Sequence, residues 1–258
     1  MPGPLNGVEI IEFLPELDST NRLAKEYMRA GQVEGKVVQT GYQYQGRGQQ
    51  GTTWLVERDQ NLTFSVVLRP SFLASTDLFQ LNQVAALAVS DTLAAYFPLN
   101  EIRIKWPNDI LVRGKKICGI LIETQLEGSR LSGAVAGIGL NVNQAGFPDN
   151  LRFPPTSMKI ALGDTFDLHI LLRILLDNLW ARYAQLSFHR EKIQKDYLAL
   201  LYGLHMPVWA EVAGKKGLGV IRGVDHYGRL RMDWQGAACT FDLKEVRLFP
   251  PIHDTSSI

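Results

Sequence analysis

Residues 102–142 read IRIKWPNDILVRGKKICGILIETQLEGSRLSGAVAGIGLNV. β-branched and apolar residues dominate this stretch, and their pattern predicts four consecutive strands: Ile102–Lys105, Ile110–Val112, Ile117–Gln125 and Leu131–Val142. The tight Arg113-Gly114-Lys115 turn joins the second strand to the third. Four strands with no helix between them exclude an alternating βαβ series and predict a mixed layer of strands and helices.

On the N-terminal side, Asp18 to Ala30 reads as a helix. Asp18 or Ser19 can cap it, Leu23, Ala24, Tyr27 and Met28 share one face, and Gly31 ends it. Lys36–Thr40 and Leu62–Leu68 read as strands around a glycine-rich loop, and Asp77–Phe97 reads as a long helix. On the C-terminal side, a proline-rich loop (Phe147 to Pro155) precedes a helical region from about Asp167 to Leu201. Beyond Gly203, short strands near Val208–Val212, Gly219–Val224, Leu230–Trp234 and Ala237–Phe241 alternate with glycine turns and predict a small β-barrel. The expected division is residues 1–203 and 204–258.

A chain of 258 residues, 46% of them hydrophobic, can bury a substantial core. Its 27 basic and 26 acidic residues leave a net charge of +1, with no basic cluster that would favour DNA. Cys118 and Cys239 lie in apolar stretches without metal-like spacing, which predicts reduced, buried thiols. No cationic leader precedes an apolar block, and no uncharged apolar run approaches the ~20 residues that span a bilayer. A cytoplasmic location is expected.

Gly46-Arg47-Gly48-Gln49-Gln50-Gly51 matches the dinucleotide fingerprint letter for letter but lacks its context. Thr52-Thr53-Trp54 leads on to another strand rather than into a helix. What survives is local chemistry: glycines let the backbone approach an anion, and Arg47 supplies a planar fork for phosphate or carboxylate oxygens. The other reading is a hairpin loop whose glycines only satisfy turns. In Lys105-Trp106-Pro107-Asn108-Asp109, a proline and two turn-forming residues interrupt strands that would otherwise pair continuously. Lys105 suits phosphate charge and Asp109 suits Mg²⁺, against the alternative of a plain turn. Lys116 returns toward the same end of the sheet, whereas Lys115 should face away into solvent.

Taken together, these segments resemble the biotin protein ligases over nearly the whole chain. The resemblance rests on Ser19-Thr20-Asn21 at a helix start, Gln43 ahead of Gly46-Arg47-Gly48, Trp54, Lys105 to Asp109, Lys116 with Gly119-Ile120-Leu121, and Gly137-Ile138-Gly139-Leu140-Asn141. It implies an α+β fold: a mixed sheet with helices on one face, like a class II synthetase, and a C-terminal SH3-like barrel that helps close the nucleotide site. It also implies that Ser19, Thr20, Asn21, Gln43, Gly46, Arg47, Gly48 and Gly119 hold biotin. Lys116 is expected to contact the biotin carboxylate and the adenylate phosphate. Trp54, Lys105, Asn108 and Asn141 are expected around ATP, with Mg²⁺ on Asp109. Lys116, Arg47 and Lys105 would carry the catalytic charge.

The implied reaction activates biotin as biotinyl-AMP and transfers it to a lysine of a biotin carboxyl carrier protein. The chain is expected to act without DNA or a membrane, as a monomer or as a homodimer joined through sheet edges, for which the Leu131–Val142 run is a candidate. Three departures from the family pattern stand out. Asp18 lies so near the start that no N-terminal DNA-binding domain is expected. At the C-terminus, Glu245-Val246-Arg247-Leu248-Phe249 leaves open whether Arg247 or Phe249 occupies the place of a nucleotide-reaching arginine. In the glycine loop, Gln49, Gln50 and Thr52 stand where relatives are rich in arginine.

Two other readings compete. A lipoate or octanoate ligase would act on a similar lysine, but a lipoyl tail prefers an apolar pocket to Ser19, Thr20 and Gln43. A non-catalytic sensor of biotin or adenylate would not need the cations at 105 and 116. None of His169, His189, His205, His226 and His253 lies in a motif, which reads as surface or packing. A charge-assisted bond to phosphate is worth about 1.5–3 kcal/mol, so its absence at Gln49 predicts an adenylate held roughly tenfold less tightly or worse. Gln49→Arg should therefore slow release of the acyl-adenylate; equal release rates in the two proteins would contradict this.

Overall fold

Successive residues along the central strands point to opposite faces of one sheet, and both faces are covered. The computed structural model describes residues 10–51, 54, 56–128, 130–148 and 153–250. The sheet contains β1 (Ile10–Leu17), β2 (Lys36–Gln43), β3 (Leu62–Leu68), β4 (Ile102–Lys105), β5 (Asp109–Val112), β6 (Lys115–Glu127) and β7 (Arg130–Leu140), in the order β1-β2-β3-β7-β6-β5-β4. Only β1 and β2 run parallel.

Val37, Val66, Ala134 and Ala136 face a core shared with α2 (Phe79–Leu93), α4 (Leu168–Phe188) and α5 (Arg190–Leu200). Their neighbours Val38, Val67 and Val135 face Leu17 and α1 (Thr20–Arg29), through Ala24 and Met28. The three long helices thus share one face as expected, while α1 lies on the other. Burying a large aliphatic side chain contributes roughly 1.5–3 kcal/mol, so the leucine row of α4 anchors the first layer.

The predicted strands 102–105, 110–112, 117–125 and 131–142 form with small changes at their ends. β1 was not anticipated: Glu12, Pro15 and Glu16 break an apolar pattern, but a parallel edge strand tolerates a proline, which needs no donor on its free side. The expected helical region 167–201 forms as two helices, because His189 (φ −136, ψ 56) ends α4 and begins α5. A short helix, α3 (Met158–Leu162), precedes them.

The Leu131–Val142 run does not fit the expected dimer edge. β7 lies between β3 and β6 and is hydrogen-bonded on both sides. The sheet's edges are β1 and β4.

A second, antiparallel sheet follows: β8 (Pro207–Val212), β9 (Lys215–Val224), β10 (Leu230–Trp234), β11 (Ala237–Phe241) and β12 (Val246–Leu248), in the order β11-β10-β9-β8-β12. It stands where the small barrel was expected, with β12 as an additional strand. β11 and β12 are not paired to each other among the described residues.

Candidate active site

The sheet register builds the site. Lys105 pairs with Asp109, Asp109 with Gly119, Gly119 with Gly139, and Gly139 with Thr63, so one row crosses five strands on the α1 face. Lys116 joins this row only because of an irregularity. The β5–β6 register slips between Ile110 and Leu111, so Leu111 pairs with Lys116 and Ile117 is left over. Without that bulge Lys116 would point with Cys118 into the core. With it, Lys116 Nζ lies 3.5 Å from where a side chain on Gly119 would begin.

Asp109 is the centre of charge. Its Oδ2 is 2.7 Å from Lys105 Nζ and its Oδ1 is 2.6 Å from Lys116 Nζ. Burial alone would raise the Asp109 pKa, but the two ammonium groups outweigh it and hold the carboxyl below its usual range. Lys105 also lies 4.8 Å over the Phe153 ring, and Lys116 lies 5.5 Å from the Trp54 ring.

Around this centre lies a cleft of about 600 Å³, lined by every residue predicted for the site except Gly46. Its floor is glycine. A Cβ on Gly139 would collide with the Trp54 indole, one on Gly119 would sit 3.0 Å from it, and one on Gly137 would collide with the Asn21 amide. Gly46 lies just behind the rim, where its carbonyl accepts from Trp54 N at 3.0 Å and pins the loop shut at its base.

The N-terminus of α1 supplies polar groups to one end of the cleft. Ser19 is the N-cap residue, yet its side chain makes no capping bond. Gln43 Oε1 accepts from Thr20 N at 2.8 Å and from Thr20 Oγ1 at 3.2 Å, which leaves its NH₂ to donate. Ser65, fully buried on β3, lies 2.7 Å from Thr20 Oγ1 and 2.6 Å from Asn21 Oδ1, so one hydroxyl steadies both.

Asn21 uses its own amide to bind Leu121 O at 3.2 Å and Glu123 Oε2 at 2.9 Å. It therefore braces α1 against β6 while lining the cleft. Asn108 likewise donates to Ile120 O at 2.6 Å and fastens the turn. Two buried polar atoms on residues that line the cleft, Trp54 Nε1 and Asn141 Oδ1, have no partner among the described residues.

Sequence reasoning missed Ser65, Glu123 and, on the C-terminal wall it did expect, Glu211. A lone serine inside an apolar strand was the available signal for Ser65. Arg247 lines the cleft from β12, 3.6 Å from Glu211, whereas Phe249 does not line it. His169, His189, His205 and His226 all lie off the cleft, and His253 lies outside the described residues, as do Thr52 and Thr53.

A profile of the biotin/lipoate A/B protein ligase family matches residues 13–141, which carry α1, the glycine loop and both lysines. The bifunctional ligase/repressor BirA of Bacillus spizizenii is 34% identical over 227 residues, 85% of this chain and 68% of that protein. The chain belongs to the biotin/lipoate A/B protein ligase family. Another relative, the biotin--[acetyl-CoA-carboxylase] ligase of Paracoccus denitrificans, is 33% identical over 84% of this chain and 92% of its own length. In fold, the chain resembles the biotin protein ligase of Aquifex aeolicus solved in complex with biotin and ATP. The TM-score is 0.78 with 23% identity, covering 95% of this chain and all of that one.

The depressed pKa of Asp109 makes its contribution to stability depend on pH. That contribution is complete above the carboxyl's usual range and is lost as pH falls through the lower folded-state value. Asp109→Asn removes it and leaves two ammonium groups facing each other. The expected cost at pH 7 is toward the lower end of about 3–5 kcal/mol, because Lys116 keeps 29% exposure. Urea unfolding at pH 7 and at roughly pH 3 should show the gap between wild type and variant shrinking in acid; a gap of equal size at both would contradict the assignment.

Proposed function

We infer that this chain ligates biotin to a lysine of a carrier protein in two steps, through biotinyl-5′-AMP. The observation that carries the reading is the match between the cleft's two ends and the two halves of that adenylate. At one end, the Ser19 hydroxyl and the Gln43 NH₂ have no partner among the described residues and are available to a polar ureido ring. At the other, Asn141 Oδ1 is an acceptor with no partner among the described residues, suited to an adenine amino group. Between them stand Lys105 and Lys116. The relatives named for biotin ligation, and the similar fold that holds biotin and ATP, support the same reading.

In the first step a biotin carboxylate oxygen bonds to the α-phosphorus of ATP as the bond to pyrophosphate breaks. Two anions must meet, and charge accumulates on the phosphorus oxygens as they do. Lys116 and Lys105, held in place by their ion pairs with Asp109, offer their remaining N–H donors to these oxygens, and Arg47 adds a third cation from the loop. One preorganised donor of this kind is typically worth about 2.7–4 kcal/mol. The Trp54 indole and the glycine loop cover the mixed anhydride from water. In the second step the carrier amine bonds to the acyl carbon and AMP departs with the electron pair.

Both oxygens of Asp109 already carry ammonium groups, which favours a magnesium ion brought in with ATP over one held by Asp109 as the sequence suggested. Among the described residues no three His, Cys, Asp or Glu side chains form a metal-holding group. Magnesium is better regarded as part of the substrate MgATP, with phosphates and water as its ligands. We assign the catalytic unit to residues 1–203 and the smaller unit to 204–258. The free thiols of Cys118 and Cys239 suit a cytoplasmic enzyme. No helix among the described residues is long and apolar enough to cross a membrane.

The test supplies the purified chain with MgATP and either biotin or lipoate and follows pyrophosphate and acyl-AMP by mass spectrometry. Biotin alone should be activated, and Lys116→Ala should lower the rate by roughly 10²–10³. Turnover with lipoate would transfer the chain to the neighbouring activity, and turnover with neither would favour a sensor.

A further inference from the structure

The tryptophan of the Lys105–Asp109 turn has no part in the chemistry described so far, yet it is 2% exposed and its indole makes a single directed bond. Trp106 Nε1 donates to the carbonyl of Gly228 at 2.8 Å, reaching from the first sheet to the turn between β9 and β10. We propose that Trp106 is a positioning residue: this bond docks the C-terminal sheet against the nucleotide end of the cleft and so sets where its wall stands. The inference rests on the biotin and ATP reading of the cleft.

The accepting turn is built to be held in one place. Asp225 Oδ1 accepts from Tyr227 N at 3.0 Å and from Arg229 N at 2.9 Å, and its Oδ2 accepts from Arg229 Nε at 2.8 Å. Gly228 has φ +87, and a Cβ there would collide with the Phe79 ring at the start of α2. Only glycine satisfies both the backbone conformation and the close approach. The docked carbonyl therefore lies between Trp106 and Phe79, with little freedom to shift.

β9 transmits that position. One end of this strand leads into the docked turn, and the other follows the Ala213-Gly214 turn, which lines the cleft. β8 and β12 are paired beside it and carry Glu211 and Arg247 on the same wall. Trp106 is also next to Lys105 in the chain, so the bond that fixes the wall is fixed to the turn carrying the phosphate-side lysine. Closing the cleft and aligning Lys105 are thereby parts of one arrangement.

Trp106→Phe retains an aromatic ring but removes the N–H donor. The KM for ATP should rise roughly three- to tenfold, the range expected for one lost hydrogen bond, while the Kd for biotin stays within about twofold. Hydrogen exchange should quicken across residues 207–214 and 243–248. If Trp106→Phe does not fold, Asp225→Asn loosens the same dock from the other side and should give the same signature. An unchanged KM for ATP with unchanged exchange would overturn the proposal, as would parallel losses for ATP and biotin. If the wild-type chain forms no biotinyl-adenylate, the ligase reading fails by itself, and the exchange rates alone then decide whether Trp106 holds the wall.

Discussion

One buried carboxylate between two lysines organises this molecule. Asp109 cannot be ionised at its depth in the sheet without compensation, and Lys105 and Lys116 supply it. The lysines in turn could not be held so close together without the acid between them. Their side chains are therefore extended in the direction that an incoming triphosphate and carboxylate will require, before either arrives. Preorganisation of this kind lets charged groups contribute to a transition state without reordering in the step itself.

The remainder of the cleft follows from the same register. Placing Asp109 opposite Gly119, and Gly119 opposite Gly139, opens a side-chain-free strip beside the cations. The Trp54 indole lies on that strip, its N–H without a partner among the described residues. α1 stands on the same face because Ala24 and Met28 pack on Val67 and Val135, and this brings Ser19 and Thr20 to the end of the strip. The three long helices on the opposite face stiffen the sheet without touching the chemistry.

Much of this was legible in the chain. The run of strands from Ile102 follows from β-branched periodicity, and an interruption by Trp106-Pro107-Asn108 signals a purpose other than sheet pairing. That Lys105, Asp109 and Lys116 lie together could be anticipated from hairpin geometry. The bulge that turns Lys116 to the right face could not, since a one-residue slip leaves no mark in composition. Nor could the side on which α1 packs, because an amphipathic helix indicates that it has a partner but not which face of a sheet that partner is. β1 was hidden by its acids and proline, and the split at His189 by continuous apolar periodicity through α4 and α5. Asn21 and Asn108 line the cleft as the sequence suggests, but that their NH₂ groups also brace Leu121, Glu123 and Ile120 is visible only in three dimensions.

The most direct test of the central claim is the ¹⁵N NMR signal of the lysine ammonium groups in the ligand-free protein. Held by a buried carboxylate, the Nζ protons of Lys105 and Lys116 should exchange slowly with water and give two resolved signals that disappear in Asp109→Asn. If both lysines instead show the averaged, rapidly exchanging signal of surface side chains, Asp109 does not organise the site and the account is wrong at its base.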